Sequence, residues 1–232
     1  MAVSAFVSRS EGSSEVERVQ NGVLDLIRSH QILPGQRLDQ RRLAKQLDST
    51  TAPLREALSS LEAKGFLVRE RGLGVFCRSY TVRELEEMIE IRGVLEGLAA
   101  RWAVSRLTPE TRKELQRLAV ELEQPIPAGG EEQFIRTHVL FHRTIMEVSQ
   151  NSMLRNLMDH HYLIDAVLGN VAPALWSVQP HDHHSIVEAL ASGDADRAEA
   201  AMRAHIAPTF KSRLEALRQI YGEGPILPTK TA

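Results

Sequence analysis

A chain of 232 residues with 43% hydrophobic and 25% charged side chains has the composition of a globular protein and room for one large or two modest domains. No apolar run approaches the roughly 20 residues that span a bilayer. The N-terminal MAVSAFVSRSEGSS also lacks a charged segment followed by a long apolar core, so a cytoplasmic protein without a membrane partner is expected. A formal net charge of −2 excludes a general polyanion binder.

Residues 1–14 are small and polar and are expected to form a disordered tail. Ser14 to His30 predicts a helix, with Val16, Val19, Val23, Leu24 and Ile27 recurring on one face. Leu33-Pro34-Gly35 is a turn, and Arg37-Leu38 leads into a second helix with a small apolar stripe of Leu43, Ala44 and Leu47. Asp48-Ser49-Thr50 breaks that stripe and supplies an N-cap for a third helix. Pro53 falls in its first turn, where backbone N–H groups have no intrahelical acceptor anyway. Leu54, Ala57, Leu58 and Leu61 should face a core, and Gly65 should end the helix. The opposite face carries Thr51, Ala52, Arg55 and Ser59, short or basic side chains suited to lying in a groove. FLVRE and GVFCR are strand-like runs joined through Arg71-Gly72-Leu73-Gly74. Helix, turn, helix and basic hairpin describe a winged helix-turn-helix over residues 15–78. Cys77, the single cysteine, lies in its second strand, where a small buried apolar role is expected rather than a redox one. Residues 1–78 hold 12 Lys+Arg against 9 Asp+Glu, whereas 79–232 hold 16 against 21, so the basic excess sits in the half that would meet DNA.

Ser79-Tyr80-Thr81 is a linker, with Thr81 an N-cap. Val82 to Leu107 predicts one long amphipathic helix whose apolar side is Leu85, Met88, Ile89, Leu95, Leu98, Ala99 and Trp102. Thr108-Pro109-Glu110 opens the next helix, which runs to about Gln124, and PIPAGG is a loop. Further helices are expected over Glu131–Gln150, Ser152 to about Trp176 with a bend near Pro173, His181–Ala191, and Asp194 to about Tyr221. Residues 223–232 are expected as a tail. The fold is therefore mainly α: a winged helix-turn-helix followed by an antiparallel all-helical bundle of about six helices over 82–222.

Eight of the nine histidines lie after residue 137, which concentrates metal-binding chemistry in the helical half. His138 and His142 stand at i and i+4 and leave one helix face together. His183 precedes a short apolar helix, and His205 lies among the small residues of AEAAMRAHI. Four imidazoles from three helices can converge on one Zn²⁺ or Ni²⁺ ion. A lone histidine is more often a surface or hydrogen-bonded core residue, so spacing alone leaves both outcomes open. His160, His161, His181 and His184 are assigned to that ordinary class.

The segment LAKQLDSTTAPLREAL, followed by LEAKGF and RERG, resembles the GntR family of bacterial transcription regulators over about Val16 to Arg78. The resemblance implies DNA contacts from Arg41, Thr50, Thr51, Ala52, Arg55, Arg71 and Gly72. Thr51 and Ala52 depart from the family's usual Arg and Thr, which removes a bidentate guanine reader and puts the usual operator in doubt. The helical half, through IRGVLEGLAA, HVLFH, HHSIVEALASGD and MRAHI, resembles the FCD ligand-binding domain of the FadR subfamily. That resemblance implies a metal held by His138, His142, His183 and His205, an acidic effector bound by Arg92, and a homodimer. His138 stands where the family usually has Asp, so the site loses a negative charge and suits oxygen-preferring ions less well. Pro208 should bend the last helix near His205. The expected function is a DNA-binding repressor released by a small carboxylate, not an enzyme. Two alternatives remain: a metal-dependent hydrolase with an accessory DNA-binding module, for which Glu147 and Asp182 are the generic bases, and an acyl-CoA-responsive regulator without a functional metal.

Overall fold

The computed structural model of the chain describes residues 14–127, 129–158, 161 and 182–227. It divides into two units, residues 1–78 and 79–232. The expected N-terminal tail before Ser14, His160, His181 and the bend near Pro173 lie outside the described residues.

In the first unit α1 spans Glu15–Arg28, and Ser14 and Glu17 form a capping box at its start. Val19, Val23, Leu26 and Ile27 are buried. Leu26 replaces the expected Leu24, because positions 19, 23, 26 and 27 share one helical stripe while Leu24 falls on its flank. Asp39 caps α2, Gln40–Gln46, by accepting from the amides of Arg41 and Arg42. A turn in which Asp48 adopts φ +46° leads to α3, Thr51–Ala63. Arg18 of α1 donates to the carbonyls of Leu47 and Asp48 at 2.8 and 2.9 Å, satisfying acceptors that the end of α2 leaves open. Leu54, Ala57, Leu58 and Leu61 of α3 are buried as their spacing predicts, each leucine contributing about 1.5–3 kcal/mol by leaving water.

Gly65, at φ +80°, turns the chain into β1, Leu67–Glu70, which pairs antiparallel with β2, Gly74–Cys77. Between the strands Gly72 adopts φ +78°, a conformation costly for a side chain with a Cβ. The sequence did not reveal a third contribution to this wing. Residues 36–38 pair with β2, the amide of Leu38 donating to the Val75 carbonyl at 2.8 Å and that of Cys77 to the Gln36 carbonyl at 2.9 Å. Cys77 is buried, and burial pushes its thiol pKa up to about 12.

In the second unit α4 spans Val82–Ala103 and begins with a Thr81–Glu84 capping box. It stops four residues before the expected Leu107, giving way to a 3₁₀ turn at Val104–Arg106. Its buried face is Val82, Leu85, Arg92, Glu96, Gly97, Ala99, Ala100 and Ala103, and Trp102 is 41% exposed. Of the expected apolar side, Leu85 and Ala99 are buried and Met88, Ile89, Leu95 and Leu98 pack against the core, so only Trp102 departs from it; the addition is that two charged residues, Arg92 and Glu96, share the inward stripe. The remaining helices are α5, Pro109–Leu122; α6, Glu131–Val148; a helical stretch at 152–158; α7, His184–Ala191; and α8, Ala195–Tyr221. A Cβ on Gly97 would lie 2.8 Å from Arg203 Cγ, so the missing side chain is what lets α4 and α8 approach. The helix α8 continues through Pro208. One lost N–H does not interrupt it, since Ile206 and Phe210 on either side are both buried in the core. The segment expected as a C-terminal tail returns to the bundle: Pro225 bridges Thr81, the Ile226 amide donates to the Tyr80 carbonyl at 2.8 Å, and Ile226 is buried.

Candidate metal centre and nucleic-acid interface

His138, His142, His183 and His205 come together in the helical unit. Each offers a ring nitrogen, and these atoms lie within 4.8 Å of one another. All four side chains are buried. One turn of α6 places His138 and His142 with ring centroids 4.5 Å apart; His183 and His205 are also 4.5 Å apart, contributed by the cap of α7 and by α8. The ring of Phe141 lies edge-on to His183 at 4.8 Å and closes one side of the group.

The surrounding hydrogen bonds hold these rings. Glu96 of α4 accepts from Arg92 Nε at 2.6 Å with one oxygen and meets His142 Nδ1 at 2.5 Å with the other. Burial raises the pKa of the Glu96 carboxyl, but Arg92 and then His142 outweigh it and hold the group down to about 2. The Arg92 guanidinium also lies over the Phe210 ring at 5.2 Å. The side chain of Glu123, just past α5, accepts from the His184 amide at 3.1 Å and meets its Nδ1 at 2.7 Å, which clamps the start of α7 beside His183. Thr137 donates to Glu121 at 2.8 Å and pins α6 to α5.

The four histidines and Arg92 are among the expected site residues, whereas Glu96 carries no expected role and His184 is assigned to the ordinary histidines. The i, i+4 spacing of Arg92 and Glu96 was the available signal for the first. Nothing local signals the Glu123–His184 contact. Of the two candidate bases, Glu147 is exposed and paired with Arg155 at 2.8 Å, and Asp182, next to His183, is exposed and accepts from the Ser185 amide.

Does this cluster fit a metal? The donor set is buried and convergent, and His142 Nε2 is sealed from solvent with no hydrogen-bond partner among the described residues. Imidazoles without a carboxylate among them suit Zn²⁺ or Ni²⁺ better than Mg²⁺ or Mn²⁺. The four side chains fit a transition-metal ion.

In the first unit Arg41, Thr50, Thr51, Ala52, Arg55, Arg71 and Gly72 are all exposed. Helix α3 buries its leucine face and presents the residues expected to meet DNA on the other. Gln40, Arg55, Ser59 and Arg69 line a shallow concavity beside the strands, where Arg69 pairs with Glu62 at 3.0 Å.

A winged helix-turn-helix in one unit and a helical bundle around a buried cluster of histidines in the other define a ligand-binding, DNA-binding transcription regulator. Residues 15–77 match the family model described as bacterial regulatory proteins, gntR family, and residues 87–208 match the FCD domain. The chain belongs to the GntR family, in the FadR-like subfamily that carries an FCD domain. It is 31% identical over 170 residues to a probable D-xylose utilization operon transcriptional repressor of Paenarthrobacter nicotinovorans, covering 71% of this chain and 74% of that one. It is 28% identical to the Nta operon transcriptional regulator of Aminobacter aminovorans, covering 87% and 98% of the two chains. The solved structure of Escherichia coli McbR/YncC superposes with a TM-score of 0.71 at 26% identity, covering 91% of this chain and 100% of that one.

Proposed function

We propose that this regulator is a homodimeric repressor whose hold on its operator is controlled by a small carboxylate bound beside a metal in the FCD domain. The observation that carries this reading is the convergence of four buried imidazoles joined to Arg92 through Glu96. His138, His142, His183 and His205 would hold Zn²⁺ or Ni²⁺. When bound, the ion supplies a Lewis-acidic charge to which a carboxylate oxygen can bind. Arg92 orients the acid: its guanidinium presents a planar fork of N–H donors that matches the two oxygens of a carboxylate.

Arg41, Arg55 and Arg71 contact DNA, with Arg55 and its neighbours on α3 in the major groove and Arg71 on the backbone or minor groove. Two copies read one palindrome. The proposed interface is supported by the exposed Ile91, Val94 and Trp102 along α4, and the repressor role by the relative named as a repressor. The acid shifts operator affinity through its preference for one arrangement of the reading heads, a coupling of about 1–3 kcal/mol.

The test begins with metal analysis of protein purified without chelators. A thermal-shift screen of metabolic acids with and without added Zn²⁺ follows, then operator binding with each hit. Bound ion, metal-dependent stabilisation by an acid, and release from DNA are expected. No bound ion, together with no rise in Tm on adding Zn²⁺ or Ni²⁺, refutes the metal mechanism.

A further inference from the structure

We infer that Glu96 is the positioning residue of the histidine cluster: its carboxylate fixes which nitrogen of His142 faces the other imidazoles and ties that choice to the Arg92 guanidinium. The tautomer follows from the contacts of a Glu96 carboxylate held ionised by Arg92; its consequence for metal affinity rests on the metal proposed above.

The two oxygens of Glu96 are divided between two partners. One lies 2.6 Å from Arg92 Nε, the other 2.5 Å from His142 Nδ1, and all three side chains are sealed from solvent. An ionised carboxylate only accepts, so the proton in the contact with His142 belongs to Nδ1. A second proton on Nε2 would be buried with no acceptor among the described residues, which is costly. His142 is therefore the Nδ1–H tautomer, with the lone pair of Nε2 directed into the cluster. This is the form in which a histidine ligates a metal while donating its other N–H to a carboxylate. Because Arg92 and Glu96 stand one turn apart on α4, a single helix carries both the group that orients the ligand and the group that meets the acid.

The substitution Glu96→Gln keeps the shape and reverses the consequence. An amide accepts at one end and donates at the other. Arg92 cannot give up its proton, so the carbonyl oxygen stays with Nε and the NH₂ turns to His142 Nδ1. Nδ1 must then accept, the ring proton moves to Nε2, and the lone pair leaves the cluster.

Two-bond ¹H–¹⁵N NMR correlations on the metal-free full-length protein read the tautomer directly, with His142→Gln used for assignment. The expected result is Nδ1–H in the wild type and in Glu96→Asp, and Nε2–H in Glu96→Gln. Zn²⁺ affinity, measured by competition with a chromophoric chelator, should fall about 10–100-fold in Glu96→Gln and less in Glu96→Asp. A purely structural role for Glu96 would lower stability without moving the ring proton. An Nε2–H tautomer in the wild type overturns the inference, as does a folded Glu96→Gln variant with unchanged tautomer and Zn²⁺ affinity. If Glu96→Gln does not fold, the wild type and Glu96→Asp still decide. Absence of Zn²⁺ binding by the wild type refutes the metal mechanism and leaves the tautomer result to stand or fall by itself.

Discussion

Glu96 and His142 are 46 positions apart in the chain, yet a carboxylate oxygen of one lies 2.5 Å from Nδ1 of the other, with both side chains buried. The same carboxylate holds Arg92, so a buried charge from α4 is matched on α4 and linked to α6 by one residue.

Removing Arg92 leaves that carboxylate ionised and short of its cationic partner. Arg92→Ala should cost about 3–5 kcal/mol of stability, and Arg92→Met combined with Glu96→Gln should cost less than the sum of the two single changes. Urea unfolding of the wild type, Arg92→Met, Glu96→Gln and the double variant measures the coupling, and strict additivity contradicts it.

His142→Ala removes one ring from the cluster. Metal content should drop and the response of operator binding to acids should disappear, while DNA binding of the metal-free form is retained. Elemental analysis and gel-shift titrations check both halves. A variant that keeps its metal and its response shows that His142 is not a ligand.

On the DNA side, Arg55→Ala should weaken operator binding by about 1–3 kcal/mol if Arg55 reads a base, and Arg71→Ala should lower affinity more uniformly across sequences and reduce the salt slope. An unchanged affinity and salt slope in the folded double variant would count decisively against this interface.

Cys77 gives a pH signature of the first unit. Its thiol ionises near 9.0 when unfolded and is pushed up to about 12 by burial when folded. Between those values the unfolded state gains from losing the proton and the folded state does not. Stability should therefore fall by about 1.4 kcal/mol per pH unit above pH 9, and Cys77→Ala should remove that part of the slope. Denaturation at pH 8, 9.5 and 10.5 tests this, and native Cys77 should resist iodoacetamide at pH 8.

Two reading heads on one palindrome multiply a modest affinity. Sedimentation should give a dimer at micromolar concentration, with half-sites about one helical turn apart or closer. A charge at the exposed Val94, Val94→Asp, should shift the equilibrium toward monomer. A monomer both free and on DNA rules the dimer out.

Much of this protein is legible in its sequence, because the signals involved are local. The 3.6-residue periodicity of Leu54, Ala57, Leu58 and Leu61 and the left-handed glycines at 65 and 72 define α3 and the wing; Thr50 stands at the N-cap position, but its side chain makes no capping hydrogen bond. The i, i+4 pair His138–His142 and the motifs around His183 and His205 mark four residues that the fold does bring together. Tertiary structure decided the rest. Periodicity turns Leu85, Met88, Ile89, Leu95, Leu98 and Ala99 toward the core, as the structure has them, but not Arg92 and Glu96 between them, because a charged residue reads as solvent-facing until a buried partner is known. The pairing of residues 36–38 with β2, the Glu123 clamp on α7 and the return of Ile226 to Tyr80 each join chain segments far apart in sequence. Periodicity reports which residues share a face of one element, but not which element covers it. That is why the four clustered histidines are visible in the sequence, and why the carboxylate that meets His142 emerges only once α4 is packed against α6.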